Sequence, residues 1–418
     1  MQLVTNMNIS KWFRTYYNKI TGSIAFYPAI IAILFLFISW GMIEIDFSPF
    51  GKHLKAGLSW LSLKDATTAR SIISTVAGAI ISLAVFSFSM VMIVLNQAAS
   101  QMSNRVLTSM IENRFQQIIL GIYIGTIVYA LFLLSTIRDI TSGIYVPALS
   151  IYLLILLTVV DIFLFIYFLD YVTQTVKYET VIHRVQKQTM DTMKKRFEDI
   201  HEESVSWSDM PFVEIISAES NYFQGFNEKK LLKIAREKNL YISFLYKQAT
   251  YLINGVVFMK VYGTGLIDEE CKRDLVAATD FFKGQPIDRN ADYGFNQLAE
   301  VAIKALSPGI NDPATAVISL HALSDIFAYK LYHNLPSVRY DDERIKRIYI
   351  PSSSFNDMFD KCIYPIWNYG KKDQYIQKEM IHMVNQLKTA DCKNLYIKMF
   401  DRFLEKIKKQ VENPIAGV

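Results

Sequence analysis

One stretch of the sequence places oxygen-bearing side chains at a fixed interval inside an apolar run. In SIISTVAGAIISLAVFSFSMVMIVLNQAASQMSNRV, residues 71–106, every seventh position is polar: Thr75, Ser82, Ser89, Asn96 and Ser103, with Thr68 one interval earlier. Seven residues are nearly two helical turns, so on a helix these positions form one slowly drifting stripe. Ser71, Ser74, Gly78 and Ser100 widen the same side. A row of hydroxyl and amide groups is costly against lipid, so it is expected to face protein or water. Two chemistries fit it. Around an axis shared by several copies, Ser and Asn dipoles would replace part of an ion's hydration and line a water-filled pathway. Alternatively, small and hydroxyl residues let helices approach closely and hydrogen-bond across, as Ala77-Gly78-Ala79 also would. Ser and Thr can besides satisfy themselves on carbonyls of their own helix. The stripe carries no charge, so no ion preference is written in it.

Three other features bear on chemistry. Asp161 lies inside LLTVVDIFLF, and an intramembrane carboxylate is either a functional group or a neutral acid bonded to a neighbouring helix. Ser307-Pro308-Gly309-Ile310-Asn311-Asp312-Pro313 separates two helical patterns. Gly309 can take the left-handed conformation past a helix end, Asn311 or Asp312 can cap the next helix, and Pro313 suits its first turn. The chemical reading gives Ser307, Gly309, Asn311 and Asp312, with the N–H groups of the new helix start, to an anion or polar headgroup; the structural reading is a tight corner. The six histidines are scattered, and His321 with Asp325 lacks a third ligand, so no metal and no cofactor is expected. Cys271, Cys362 and Cys392 stand far apart and read as reduced thiols rather than a disulfide framework. The glycine-rich nucleotide, P-loop, HExxH and GxSxG patterns are missing, and no nucleophile–base pair stands out, so enzymatic activity is not expected.

The elements that must carry these residues follow from charge distribution. The chain has 418 residues, 51% hydrophobic and 20% charged, with a net charge of +5. Residues 1–171 hold 10 Lys and Arg and 7 Asp and Glu, and the remainder hold 34 and 32, which puts a seam between a membrane half and a water-soluble half near residue 171. So small a net charge, with no basic stripe, excludes a nucleic-acid partner. Four apolar stretches reach the length needed to cross a bilayer, about 24–43, 72–95, 118–137 and 147–169, and backbone groups in hydrocarbon require them to be helices. The first is too long for a signal-peptide core and lacks a small-residue cleavage site. Eleven Lys and Arg flank the spans on one side and five on the other, which predicts both termini in the cytoplasm.

The fold class expected is an α-helical membrane protein: four transmembrane helices in residues 1–171, plus a cytoplasmic α+β domain with a helical C-terminal part. An amphipathic connector helix is expected over 172–210, from Val172, Val176, Ile182, Val185, Met193 and Phe197 with charges between them. A small α+β unit follows over 211–285, with strands VEIIS, NYFQGF, YISFLYKQA and GVVFMKVYG and helices capped by Asn227 and Asp268. Residues 286–418 read as helical throughout, including 353–369, 372–388 and 391–411.

At the corner a resemblance enters. ALSPGINDPATA, with the preceding DYGFNQLAEVAIK, resembles the signature of a bacterial family of predicted membrane proteins catalogued as a domain of unknown function. The second span with NQAASQMSNRVL, the following RFQQIILGIYIGTIVYAL, and the YFQGFN strand start are similar to the same family. The matches cover most of residues 20–330 and do not extend past 335. Asn221 stands where the family has a glycine before Tyr222, and Ser103-Asn104-Arg105 where it has a Pro-Arg pair. The resemblance implies a bacterial inner-membrane location and no particular activity. Two functions are carried forward. One is a homo-oligomeric ion channel, with the polar stripe lining the pathway and the cytoplasmic domains assembled beneath; its partners would be lipid, further copies of the chain and a permeating ion. The other is a membrane-anchored sensor or scaffold, binding a ligand or partner through its cytoplasmic domain around Ser307–Asp312.

Overall fold

The computed structural model describes residues 25–57, 65–101, 114–140, 143–175, 177–199, 207, 210–263 and 267–412, so Ser103 and Val176 lie outside the described residues. The chain forms two compact units, residues 1–177 and 178–418.

The first unit contains α1 (Phe26–Phe47), α2 (Pro49–Gly57), α3 (Ala66–Gln101), α4 (Arg114–Thr136) and α5 (Ala148–Thr175). A hairpin of β1 (Arg138–Ile140) and β2 (Gly143–Tyr145) joins the last two helices. Helices α1, α3, α4 and α5 are each long and apolar enough to cross a membrane. They outrun the apolar stretches that announce them, because polar ends are held by side chains. The 36-residue α3 begins six residues before 72, where Asp65 accepts from the backbone N–H groups of Thr67 and Thr68 at 3.2 and 2.8 Å and caps it. Likewise α1 runs through Glu44 to Phe47 rather than ending at 43.

Helix α4 is the centre of this unit: 44% of its apolar window is buried, against 11% for α1 and α3. Its Gly121 and Gly125, one turn apart, bring α1 close. A Cβ at Gly121 would stand 2.6 Å from the Ile31 side chain, and one at Gly125 2.7 Å from the Phe35 ring. Small residues four apart are a common solution where apolar burial alone cannot drive helices together in lipid.

In the second unit the expected 172–210 connector is two things. Its beginning belongs to α5, and α6 (Tyr178–Arg196) is a separate helix that buries Val181, Ile182, Val185, Thr189, Thr192 and Met193 against α9 (Asp292–Ala305) and α10 (Pro313–Lys330). The strands are β3 (Glu198–Asp199), β4 (Phe212–Ile216), β5 (Asn221–Phe226), β6 (Tyr241–Phe244), β7 (Thr250–Leu252), β8 (Val257–Tyr262), β9 (Thr279–Phe281), β10 (His333–Asn334), β11 (Val338–Tyr340) and β12 (Lys346–Tyr349). A five-stranded sheet has the order β11-β12-β6-β8-β4, antiparallel except where β12 lies parallel to β6 with Ile348 opposite Ile242. A three-stranded sheet has the order β7-β5-β9. Helices α7 (Glu228–Glu237) and α8 (Glu269–Ala277) are capped by Asn227 and Asp268, whose side chains accept from the N–H groups of Lys230 and Cys271. Phe223, Phe244 and Phe258 stand at the centre of the core beneath.

The C-terminal region is therefore not helical throughout. Helices α11 (Phe355–Gly370), α12 (Gln374–Ala390) and α13 (Ile397–Glu412) are present, but β11 and β12 return to the sheet of the preceding segment. Charge hides them in the sequence. Arg347, in β12, is buried only because its guanidinium meets Asp341 at 2.8 Å and Asn239 at 2.8 Å.

Candidate functional site

Helix α3 has two faces of different use. Ala66, Ala69, Ile73, Ala77, Ile80 and Ser87 are buried, in clusters shared with α4 and α5. Thr75, Ser82, Ser89 and Asn96 are exposed on the opposite side, so among the described residues none of them is buried in the bundle. The Ser82 hydroxyl donates to the Gly78 carbonyl at 2.9 Å, and that of Ser89 to the Val85 carbonyl at 2.8 Å. Both donors are thus spent inside the helix, and what the two serines present outward is oxygen lone pairs. Val85, Phe86, Met92 and Ile93 are exposed beside the row. An apolar groove of about 680 Å³ adjoins Ser89, lined by Pro28, Ala84, Val85, Phe88, Leu120 and Ile124.

The intramembrane acid lies elsewhere. Asp161 of α5 is fully buried, and neither carboxylate oxygen has a hydrogen-bond partner among the described residues. The Thr126 hydroxyl of α4 lies beside it but falls short of hydrogen-bond geometry. The Tyr123 phenol, one turn away on α4, lies within electrostatic reach of Asp161 and beside Ser87 of α3. Ser87, Tyr123 and Thr126 are themselves fully buried and unpartnered. Sequence reasoning missed all three. Ser87 sits two residues from Ser89, about 200° around the helix, so a seven-residue count selects one and hides the other.

A second buried carboxylate passed unnoticed at the end of α1. Asp46 accepts from the backbone N–H groups of Leu149 and Ser150 at 3.1 and 2.7 Å, from the Ser150 hydroxyl at 2.6 Å, and from Lys55 Nζ at 3.0 Å. It caps α5 from a hundred residues away. Tyr129 adds a bond to the Ser150 carbonyl at 3.0 Å.

The Ser307–Asp312 corner is built from its own groups. Ser307 Oγ donates to the Lys304 carbonyl at 2.6 Å, and the N–H groups of Ile310, Asn311 and Asp312 go to the carbonyls of Ser307, Ser307 and Ala305. The Asp312 side chain caps α10, accepting from the Thr315 N–H at 3.2 Å and its hydroxyl at 2.6 Å. Asp312 therefore occupies the place an anion would take, and its charge opposes another. Gly309 does not take the left-handed conformation; Asn311 does, with φ 49°. The corner lies beside the first turn of α6, where burial and then the Asp312 charge push the Tyr178 phenol above its ordinary range.

The neighbouring DYGF string has one structural task per residue. Asp292 accepts from Ser353 Oγ at 2.6 Å, and the Tyr293 hydroxyl donates to Gln224 Oε1 of the YFQGF strand at 2.8 Å. Gly294 lets α9 cross α6, because a Cβ there would run into Thr189. Phe295 packs edge-on to Phe327. Lys330, closing α10, is buried with its ammonium on Asn334 and the Ser353 carbonyl at 3.0 and 2.9 Å; burial pulls it below the ordinary lysine range, against the opposing charges of Asp292 and Asp357.

His321 pairs with Glu379 at 3.2 Å rather than with Asp325, which accepts from Gln186 at 2.8 Å. With His382 and Met383 these residues line a cleft of about 500 Å³. Among the described residues no three His, Cys, Asp or Glu side chains come together as a metal set.

With this geometry established, comparison with known proteins identifies the family. The chain belongs to DUF2254, a family of predicted membrane proteins whose model matches residues 21–386, some fifty residues past the limit of 335 read from motifs. It is 22% identical over 329 residues to an uncharacterized protein of Mycobacterium bovis and, equally, to one of Mycobacterium tuberculosis. Each match covers 76% of this chain and 63% of the relative, so the chain spans less than two thirds of the relatives' length. No solved structure matches.

Proposed function

We propose that this member of the family is a homo-oligomeric ion channel of the bacterial inner membrane, with both termini cytoplasmic and a pathway lined by Thr75, Ser82, Ser89 and Asn96 from several copies. One observation carries the reading: the polar row is exposed on the face of α3 opposite its buried residues. Among the described residues the row is left unburied by its own chain, and against lipid its unpaired lone pairs and the Asn96 amide are costly. Around an axis shared by several copies it meets water. Because Ser82 and Ser89 donate inward, the oxygens they turn to that water are acceptors, which favours cations over anions. The second unit is the cytoplasmic domain of this assembly.

A membrane-anchored sensor is the second reading, and the His321–Glu379–His382 cleft favours it. Planar-bilayer recording separates the two. Wild-type protein is expected to give discrete conductance steps, Ser89→Leu to abolish or shrink them, and Asn96→Ala to change their selectivity. Silence under voltage, tension and salt gradients, from protein shown to be folded and oligomeric, overturns the channel.

A further inference from the structure

Among the described residues the membrane unit holds two fully buried carboxylates and treats them in opposite ways. Asp46 has four donors, one of them the ammonium of Lys55. Asp161 has none at bonding distance, and no Lys, Arg or His among the described residues acts on it. Among the described residues Tyr123 is the titratable group within its electrostatic reach, Thr126 is the hydroxyl beside it, and Ser87 adds a hydroxyl next to Tyr123.

We infer that Asp161, with Thr126 and Tyr123 beside it and Ser87 next to Tyr123, is an intramembrane site for one monovalent cation, at which sodium and a proton compete for the carboxylate. An ionised carboxyl near the middle of a membrane helix cannot stay uncompensated, so its charge is either cancelled by a proton or balanced by a bound cation. The side chains gathered from α3, α4 and α5 carry oxygen alone, the donor type that hard cations take. A single carboxylate balances a single positive charge, which selects a monovalent ion over a divalent one. The unsatisfied Thr126, Tyr123 and Ser87 oxygens are what a structural acid, bonded to its neighbours, would not leave behind. The site does not rest on the channel reading, because Ser87 is on the face of α3 opposite Ser89.

The test is infrared spectroscopy of the full chain in lipid nanodiscs, following the protonated carboxyl band that disappears in Asp161→Asn. In choline chloride the band titrates as pH rises. In sodium chloride it is expected to vanish at lower pH, with the midpoint falling by about one unit per tenfold sodium above saturation. Thr126→Val keeps the band and weakens the sodium effect about tenfold, the loss that follows removal of one oxygen contact to a charge. If Asp161→Asn does not fold, the difference between sodium and choline in wild type and its reduction in Thr126→Val still decide. Identical titrations in sodium and choline, or a band unchanged between about pH 4 and 10, make Asp161 a neutral structural acid and overturn the site.

Discussion

Replacing Asp46 by Ala tests whether the membrane unit depends on a cap supplied from a distant helix. The substitution removes the acceptor for the first N–H groups of α5, the Leu149 and Ser150 amides, together with the Ser150 hydroxyl and the Lys55 ammonium. Loss of a helix cap costs about 1 kcal/mol. Each buried donor left without an acceptor adds about 1–3 kcal/mol. These terms overlap, since the same oxygens serve several of them, and the whole is bounded by the cost of breaking a buried charge pair, about 3–5 kcal/mol. For a unit of this size that corresponds to a fall in Tm of about 2 °C if only the cap is lost, and of up to about 20 °C at that bound. The assay is thermal unfolding of the purified full chain in detergent, followed by far-ultraviolet circular dichroism. Asp46→Asn keeps one carbonyl oxygen and is expected between wild type and Ala. An Asp46→Ala protein melting within about 1 °C of wild type refutes the cap as a stability element.

Two further predictions concern the second unit. Gly294→Ala is expected to cost about 1–3 kcal/mol by overpacking the α6–α9 crossing, read from urea unfolding; Thr189→Ala restores part of it, because removing the hydroxyl and the γ-methyl relieves two clashes while the Thr189 Cβ remains 2.8 Å away. Maleimide at about pH 8 is expected to label Cys392, which is exposed, and to spare Cys271 and Cys362. Burial pushes the Cys362 thiol up to about 12 and raises that of Cys271, so at that pH both are protonated as well as inaccessible. More than one adduct by mass spectrometry of the folded protein contradicts this.

What could be read from the chain and what could not divide along sequence distance. The four spans were legible because hydropathy acts over one turn after another of a single helix. The caps at Asn227 and Asp268 were legible for the same reason, since each acts three residues downstream. Asp46 was not, because its partners lie a hundred residues on and nothing near it marks them. Strands β11 and β12 were hidden because Arg347 looks like a solvated residue until Asp341 and Asn239 are placed around it. At the corner Asp312 caps the next helix and Pro313 opens its first turn as read, but Asn311, whose side chain tolerates the left-handed region, took the conformation assigned to Gly309. The polar row was found by its period, but a period cannot say which side of a helix its own bundle covers.

That sidedness is what narrows the reading of α3. Helix α1 turns Ile30, Ile33, Leu34, Phe37 and Trp40 outward, and α5 turns Leu156, Val159, Phe163, Ile166 and Tyr167 outward, faces that suit acyl chains. The outward face of α3 carries Thr75, Ser82, Ser89 and Asn96 among its apolar residues, and hydroxyls already satisfied on their own helix do not need a neighbour for their protons. Their lone pairs and the Asn96 amide do need one. A close contact between two copies of α3 would supply it with amides and small residues near the inner and outer ends; an axis with water would supply it along the whole row. The length of the row, from Thr75 to Asn96, spans most of the helix, which a pairwise contact through one or two small residues does not require. Continuous solvation does require it, and the proposed pathway shared between copies rests on that difference.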